Sequence, residues 1–127
     1  MIPKVGLALS GGAARGIAHL GVFQAMDELG IEISALSGTS SGAIVAAFYA
    51  SGVPPYEVLQ IIKKTRLLKF VQPAISKTGL LKVEKLQKLF RRHLPVDSFQ
   101  GLKKKLTITA TDVVQGETRY FDQGQLI

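Results

Sequence analysis

Six residues, Ser37-Gly38-Thr39-Ser40-Ser41-Gly42, restrict what this chain can fold into more than any other stretch. An apolar run leads into them and an apolar, helix-like run leaves at once, so they form the apex of a strand-turn-helix unit. Ser40 stands between two glycines in a Gly-x-Ser-x-Gly pattern. In such a turn the serine takes up strained backbone that projects its hydroxyl, and the glycines let strand and helix pass without Cβ clashes. Ser40 is therefore a candidate nucleophile, with Gly38 and Gly42 as its elbow. Gly and Ser also fill ordinary turns, and the residues before Ser37 bear on that choice.

Those residues repeat the design. Val5 to Leu9 is a short apolar run ending in Ser10-Gly11-Gly12, as expected of a strand buried in a parallel sheet. From Ile17 to Leu29 the residues Leu20, Phe23, Met26 and Leu29 follow helical spacing, and Gly30 supplies a left-handed cap. Ile31 to Leu36 reads as a second strand and Ala43 to Ala50 as a buried helix. Strand, helix, strand, helix favours a right-handed parallel crossover.

Further on, Pro55 opens a helix to about Lys64, and a turn and loop around Pro73 follow. Val83, Leu86, Leu89 and Phe90 describe an amphipathic helix stopped by Pro95. Leu106 to Thr111 alternates as a strand, and Thr118 to Phe121 returns from the Gln115-Gly116 turn as its hairpin partner.

Composition narrows the class. With 46% hydrophobic and 20% charged residues the chain is neither disordered nor fibrous. The absence of cysteine excludes disulfides, a thiol nucleophile and Cys-based zinc sites. The run Val5 to Leu9 is too short for a signal peptide, and Ala43 to Ala50 falls far below the roughly 18 residues of a membrane span. A cytoplasmic or membrane-peripheral protein is expected.

The net charge of +7 concentrates in Lys63, Lys64, Arg66 and Lys69, in Lys82, Lys85, Lys88, Arg91 and Arg92, and in Lys103 to Lys105. Such clusters attract anionic headgroups or nucleic acid, and their plain alternative is a solvated helix face. No aromatics are interleaved with the bases and there is no Cys/His finger, which speaks against nucleic acid.

Gly11 to Gly16 lies between the first strand and the first helix, where backbone amides form an anion site. It is not a P-loop, because Ile17 and Ala18 replace the Lys-Ser/Thr pair. It is not a dinucleotide fingerprint, because Ala13 stands where the second glycine belongs. A plain glycine turn remains the other reading. Neighbouring parallel strands end on one sheet edge, so amides near Gly11 are expected to face the Ser40 hydroxyl. Acyl transfer needs that arrangement: a nucleophile with donors where an oxyanion forms.

With both motifs in place, Gly11-Gly12-Ala13-Ala14-Arg15-Gly16 and Gly38-Thr39-Ser40-Ser41-Gly42, the chain resembles the patatin-like phospholipase family. Ala110-Thr111-Asp112 and the Gly116-Glu117 turn extend the resemblance to nearly the whole chain. It implies Ser40 as nucleophile, Gly11, Gly12 and Ala13 as oxyanion-loop amides, and Arg15 as the basic residue supporting that loop. Where many members carry a third glycine, this chain has Ala13. The family hydrolyses ester bonds of phospholipids and related acyl lipids through a Ser-Asp dyad, with no histidine base, metal or cofactor.

The family aspartate sits in Asp-Gly-Gly or Asp-Gly-Ala after the hairpin, and none of Asp27, Asp97, Asp112 or Asp122 is followed by glycine. None of the four is assigned to the dyad. His19 reads as a structural hydrogen-bonder near the anion loop and His93 as a solvated helix end. The expectation is a three-layer α/β/α fold with a mostly parallel sheet, residues 1–127 being the N-terminal portion of one patatin-like domain whose sheet and aspartate continue beyond Ile127. The alternative is a catalytically incomplete fragment that binds lipid or an anion.

Overall fold

The computed structural model describes residues 4–67 and 79–127. In chain order it has β1 (Val5–Leu9), a 3₁₀ turn (Ala13–Ile17), α1 (Ala18–Glu28), β2 (Ile33–Thr39), α2 (Ser41–Ala50), α3 (Pro55–Thr65), α4 (Gly79–His93), β3 (Lys105–Asp112) and β4 (Glu117–Phe121). The turn and loop expected around Pro73, and Lys69 of the first basic cluster, lie outside the described residues.

The sheet runs in the order β1-β2-β3-β4. β1, β2 and β3 are parallel, and β4 folds back antiparallel on β3. Leu7, Leu36 and Leu106 stand in one row across the parallel strands, and Leu9, Gly38 and Ile108 in the next. Paired residues share a face, so these rows form one apolar side. Leu9, Leu36 and Leu106 are buried there. The other side carries the rows Gly6-Ala35-Lys105 and Ala8-Ser37-Thr107, small or polar residues that are exposed or half-buried. The fold is therefore α/β with a mostly parallel sheet, and the described elements supply the sheet and one helical layer.

Helix α2 lies at the centre of that layer. Every residue from Ser41 to Ala50 except Ile44 is buried, which an all-round apolar helix requires. One side of it packs on the sheet, and α1, α3 and α4 cover the rest. Phe48 is fully buried and meets Phe90 of α4 edge-on, with ring centroids 6.3 Å apart. Phe23 of α1 stacks on Tyr49 at 4.1 Å. α1 ends as the sequence predicts: Gly30 (φ 67°) turns the chain, its N–H bonds the Asp27 carbonyl, and the Ile31 N–H reaches back to Met26.

Element boundaries shift at the polar ends. β2 runs to Thr39, past the expected end at Leu36, because Ser37, Gly38 and Thr39 continue the ladder with Thr107, Ile108 and Thr109. α2 starts at Ser41 rather than Ala43, since the first turn of a helix needs no apolar residue. The expected helix from Ile17 begins instead as a 3₁₀ turn at Ala13, closed by the Arg15 N–H on the Gly12 carbonyl at 3.0 Å. The hairpin turn is held by Asp112, whose carboxylate accepts from the N–H groups of Val114 and Gln115 and pairs with Arg119. Those bonds, the Gln115 N–H foremost, hold its carboxyl below the usual range.

Candidate active site

The Leu9–Gly38 pairing brings the C-terminal ends of β1 and β2 to one sheet edge, so the loop after β1 and the turn after β2 meet. Ser40 sits at the apex of that turn with φ 52° and ψ −127°, a region that side-chain-bearing residues rarely enter. Its carbonyl accepts the first bond of α2 from the Ile44 N–H at 3.2 Å, while its side chain caps nothing and is exposed. The serine hydroxyl thus stands exposed at the head of a buried helix, with no hydrogen-bond partner among the described residues.

Close approach explains the flanking glycines. A Cβ on Gly42 would strike the Leu9 carbonyl oxygen and come within 2.6 Å of the Ser10 oxygen, so the first turn of α2 rests on the end of β1. A Cβ on Gly38 would lie 2.7 Å from the Ala43 nitrogen. On the facing loop, a Cβ at Gly11 would meet the Ser40 Cβ at 3.0 Å and its Oγ at 3.6 Å. The backbone at Gly11 and the Ser40 side chain are therefore direct neighbours.

Gly12 (φ 155°) and Ala13 (φ 48°) continue the loop with positive φ. Ala13 thus holds, at a cost of about 1–2 kcal/mol, a conformation that a glycine takes without strain. Arg15 is exposed, and its backbone closes the 3₁₀ turn. His19 donates from Nε2 to the Ser10 carbonyl at 2.9 Å and so ties α1 to the start of the loop, as a structural hydrogen-bonder should.

The acids are occupied elsewhere. Asp27 accepts from the Tyr49 hydroxyl at 2.6 Å. Burial, reinforced by that carboxylate, raises the Tyr49 phenol above its ordinary range. Asp97 accepts from Gln125 and Arg91, both at 3.0 Å, and from the Ile127 N–H at 2.8 Å. These contacts, the Gln125 amide first, depress its carboxyl. Asp112 holds the hairpin turn, and Asp122 is exposed just past β4. Among the described residues, no carboxylate or imidazole hydrogen-bonds the Ser40 hydroxyl. His93 is half-buried in the last turn of α4.

One feature of the site has no signature in the sequence. Ser41, next to the apex, is 5% exposed, and its Oγ has no hydrogen-bond partner among the described residues. A Cβ on Gly16 would lie 2.7 Å from it, so the 3₁₀ turn is wedged directly onto α2. Ile62 and Leu67 close the far side of this contact, which shows that the C-terminal end of α3 returns to the serine edge.

Residues 7–126 match the patatin-like phospholipase family. An uncharacterized NTE family protein of Mycobacterium tuberculosis is 35% identical over 127 residues, covering 98% of this chain and 35% of its own length. Lysophospholipase NTE1 of Coccidioides immitis is 53% identical over 56 residues, and that of Saccharomyces cerevisiae 45% over 60. These cover 42% and 47% of this chain and 4% of each of those proteins. The chain thus spans about a third of the length of its mycobacterial relative.

Proposed function

The chain belongs to the patatin-like phospholipase family, and on that premise we propose that it carries the nucleophile and oxyanion loop of a serine lipid acyl hydrolase. The observation that supports this most is Ser40 itself, held at φ 52° with its hydroxyl exposed and the Gly11 backbone against it. Strain of this kind persists only where the surroundings over-determine it, and it clusters at functional sites.

In the proposed reaction the Ser40 oxygen attacks the acyl carbonyl carbon of a lipid ester while a base takes its proton. The carbonyl electron pair moves onto oxygen, where the amides of Gly11, Gly12 and Ala13 stabilise it, and Arg15 supports their loop. Collapse expels the lipid alcohol with the proton held by the base, and water then releases the acyl group from Ser40. Asp27, Asp97 and Asp112 are engaged with Tyr49, with Arg91 and with the hairpin turn, so none of the three is assigned as that base. The lysophospholipase relatives favour a lysophospholipid as substrate.

A fluorophosphonate probe tests the nucleophile. Labelling located at Ser40 by mass spectrometry, lost in Ser40→Ala together with at least ~10³-fold of any lysophospholipid hydrolysis, is the expected result. Hydrolysis that survives Ser40→Ala rules the assignment out.

A further inference from the structure

The charge of this chain is unevenly distributed. Residues 58–96 hold ten of the sixteen Lys and Arg and one of the nine Asp and Glu, so that stretch is +9 and the remainder −2. The fold gathers part of this charge in one place. A groove of about 400 Å³ runs between the end of α3 and the outer face of α4, lined by Lys64 and Thr65 on one side and Lys85, Lys88, Arg92 and His93 on the other. Lys85, Lys88 and Arg92 lie three and four residues apart, one above another on a single helix face.

Lys64, Lys85, Lys88 and Arg92 are exposed, and none of them forms an ion pair among the described residues. The sequence between α3 and α4 has no acid to neutralise them, and Glu84 is the one carboxylate from residue 58 to residue 96. By contrast Arg91, on the adjoining face, is paired with Asp97. Unpaired like charges held together on a folded surface repel one another. Such a cluster raises the local concentration of anions and suits a polyanionic partner.

The groove also sits at the serine end of the molecule. Ile62 and Leu67, either side of Lys64, pack beside Gly16 and Ser41, and Phe90 and Leu94 of α4 line a small cavity with Ala43 and Ile44 of α2. We propose that this α3–α4 face docks on the surface of an anionic phospholipid bilayer, the headgroup phosphates lying along the groove, so that Ser40 is held at the lipid interface. A bilayer fits better than nucleic acid because the groove is lined mainly by flexible lysine and arginine side chains, with no Phe, Tyr or Trp among its lining residues and His93 its single ring. The purpose of docking rests on the proposed role of Ser40, but the binding itself does not.

Flotation with vesicles of about 30% phosphatidylglycerol in phosphatidylcholine, using Ser40→Ala protein, measures binding without turnover. Each Lys or Arg near an anionic surface contributes roughly fivefold to partitioning, so Lys88→Gln/Arg92→Gln is expected to bind about 25-fold more weakly. Lys4→Gln/Lys105→Gln removes the same charge from exposed positions elsewhere and should lose less than about threefold. Binding should also fall between 0.15 and 0.5 M salt, and vesicles of phosphatidylcholine alone should not bind. Thermal melts check that both pairs remain folded. Equal losses in the two double variants overturn the proposal, as does tighter binding of a short DNA duplex than of vesicles. Because fluorophosphonate labelling of the parent is scored separately, failure of docking and failure of the nucleophile are distinguishable.

Discussion

Replacing Gly42 by alanine tests whether the serine turn is held by contact between α2 and β1. In an unconstrained helix the change stabilises by about 0.5–1 kcal/mol, because glycine loses more backbone entropy on folding. Here the new methyl meets the Leu9 carbonyl oxygen, the Ser10 oxygen at 2.6 Å and the Leu9 carbonyl carbon at 2.8 Å. All three are backbone atoms that no rotamer change can move. Overpacking typically costs about 1–3 kcal/mol, and a rigid partner belongs at the upper end, so a net loss of about 2 kcal/mol is expected. For a chain of this length that is a fall in Tm of roughly 8 °C. Gly21 supplies the control: it lies within α1 with nothing inside 4 Å of an added Cβ. Gly21→Ala should raise Tm by roughly 2–4 °C. Thermal unfolding followed by circular dichroism reads both, and fluorophosphonate labelling should slow in Gly42→Ala alone. A Gly42→Ala protein that melts at or above the parent refutes the packing account of the elbow.

Two further outcomes rest on the Tyr49–Asp27 bond and on the Ser40 backbone. Tyr49→Phe removes the hydroxyl that donates to Asp27 and should cost about 1 kcal/mol, read by urea unfolding at pH 7. Burial and Asp27 raise the folded phenol, so Tyr49's contribution is fully present below the ordinary phenol pKa of about 10 and is lost as pH rises through the folded value; the gap between parent and Tyr49→Phe should shrink only in strongly alkaline solution. Ser40→Gly releases the strain at φ 52° and should be about 1 kcal/mol more stable than Ser40→Ala, which keeps it, after allowing for glycine's looser unfolded chain. Equal melting temperatures for those two variants would show that the apex is relaxed.

Much of the fold was legible because its signals are local. The apolar run Val5 to Leu9, the spacing of Leu20, Phe23 and Met26, and the left-handed Gly30 each fix an element from a few neighbouring residues. The meeting of the two glycine loops followed from strand order alone, since parallel neighbours end on one edge. What escaped depends on tertiary partners. Nothing in the local sequence says that Tyr49 reaches Asp27, that Asp97 gathers Arg91, Gln125 and the Ile127 N–H, or that the buried Ser41 hydroxyl has no hydrogen-bond partner among the described residues. β2 extends three residues further for the same reason: Gly38 is a poor strand former and Ser37 no strong one, and the stretch to Thr39 is held in place by Thr107 to Thr109.

The basic clusters show the division most sharply. Their residues can be read off directly, but separated in sequence each of the three clusters suits a solvated helix face as well as an anionic partner. Right-handed crossovers between strands that advance in one direction, β1 to β2 to β3, put consecutive helices on the same side of the sheet, and the short turn after α2 sends α3 back toward the end from which α2 began. The cationic end of α3 thereby arrives beside Ser41, and α4, packed on α2 through Phe90 and Phe48, lays Lys88 and Arg92 across from Lys64. A chain that placed ten cations at random would spread them over both ends of the helical layer. This one confines nine units of net charge to the 39 residues of positions 58–96, part of whose path passes the exposed serine, so the same topology that presents the hydroxyl also sets the surface charge around it.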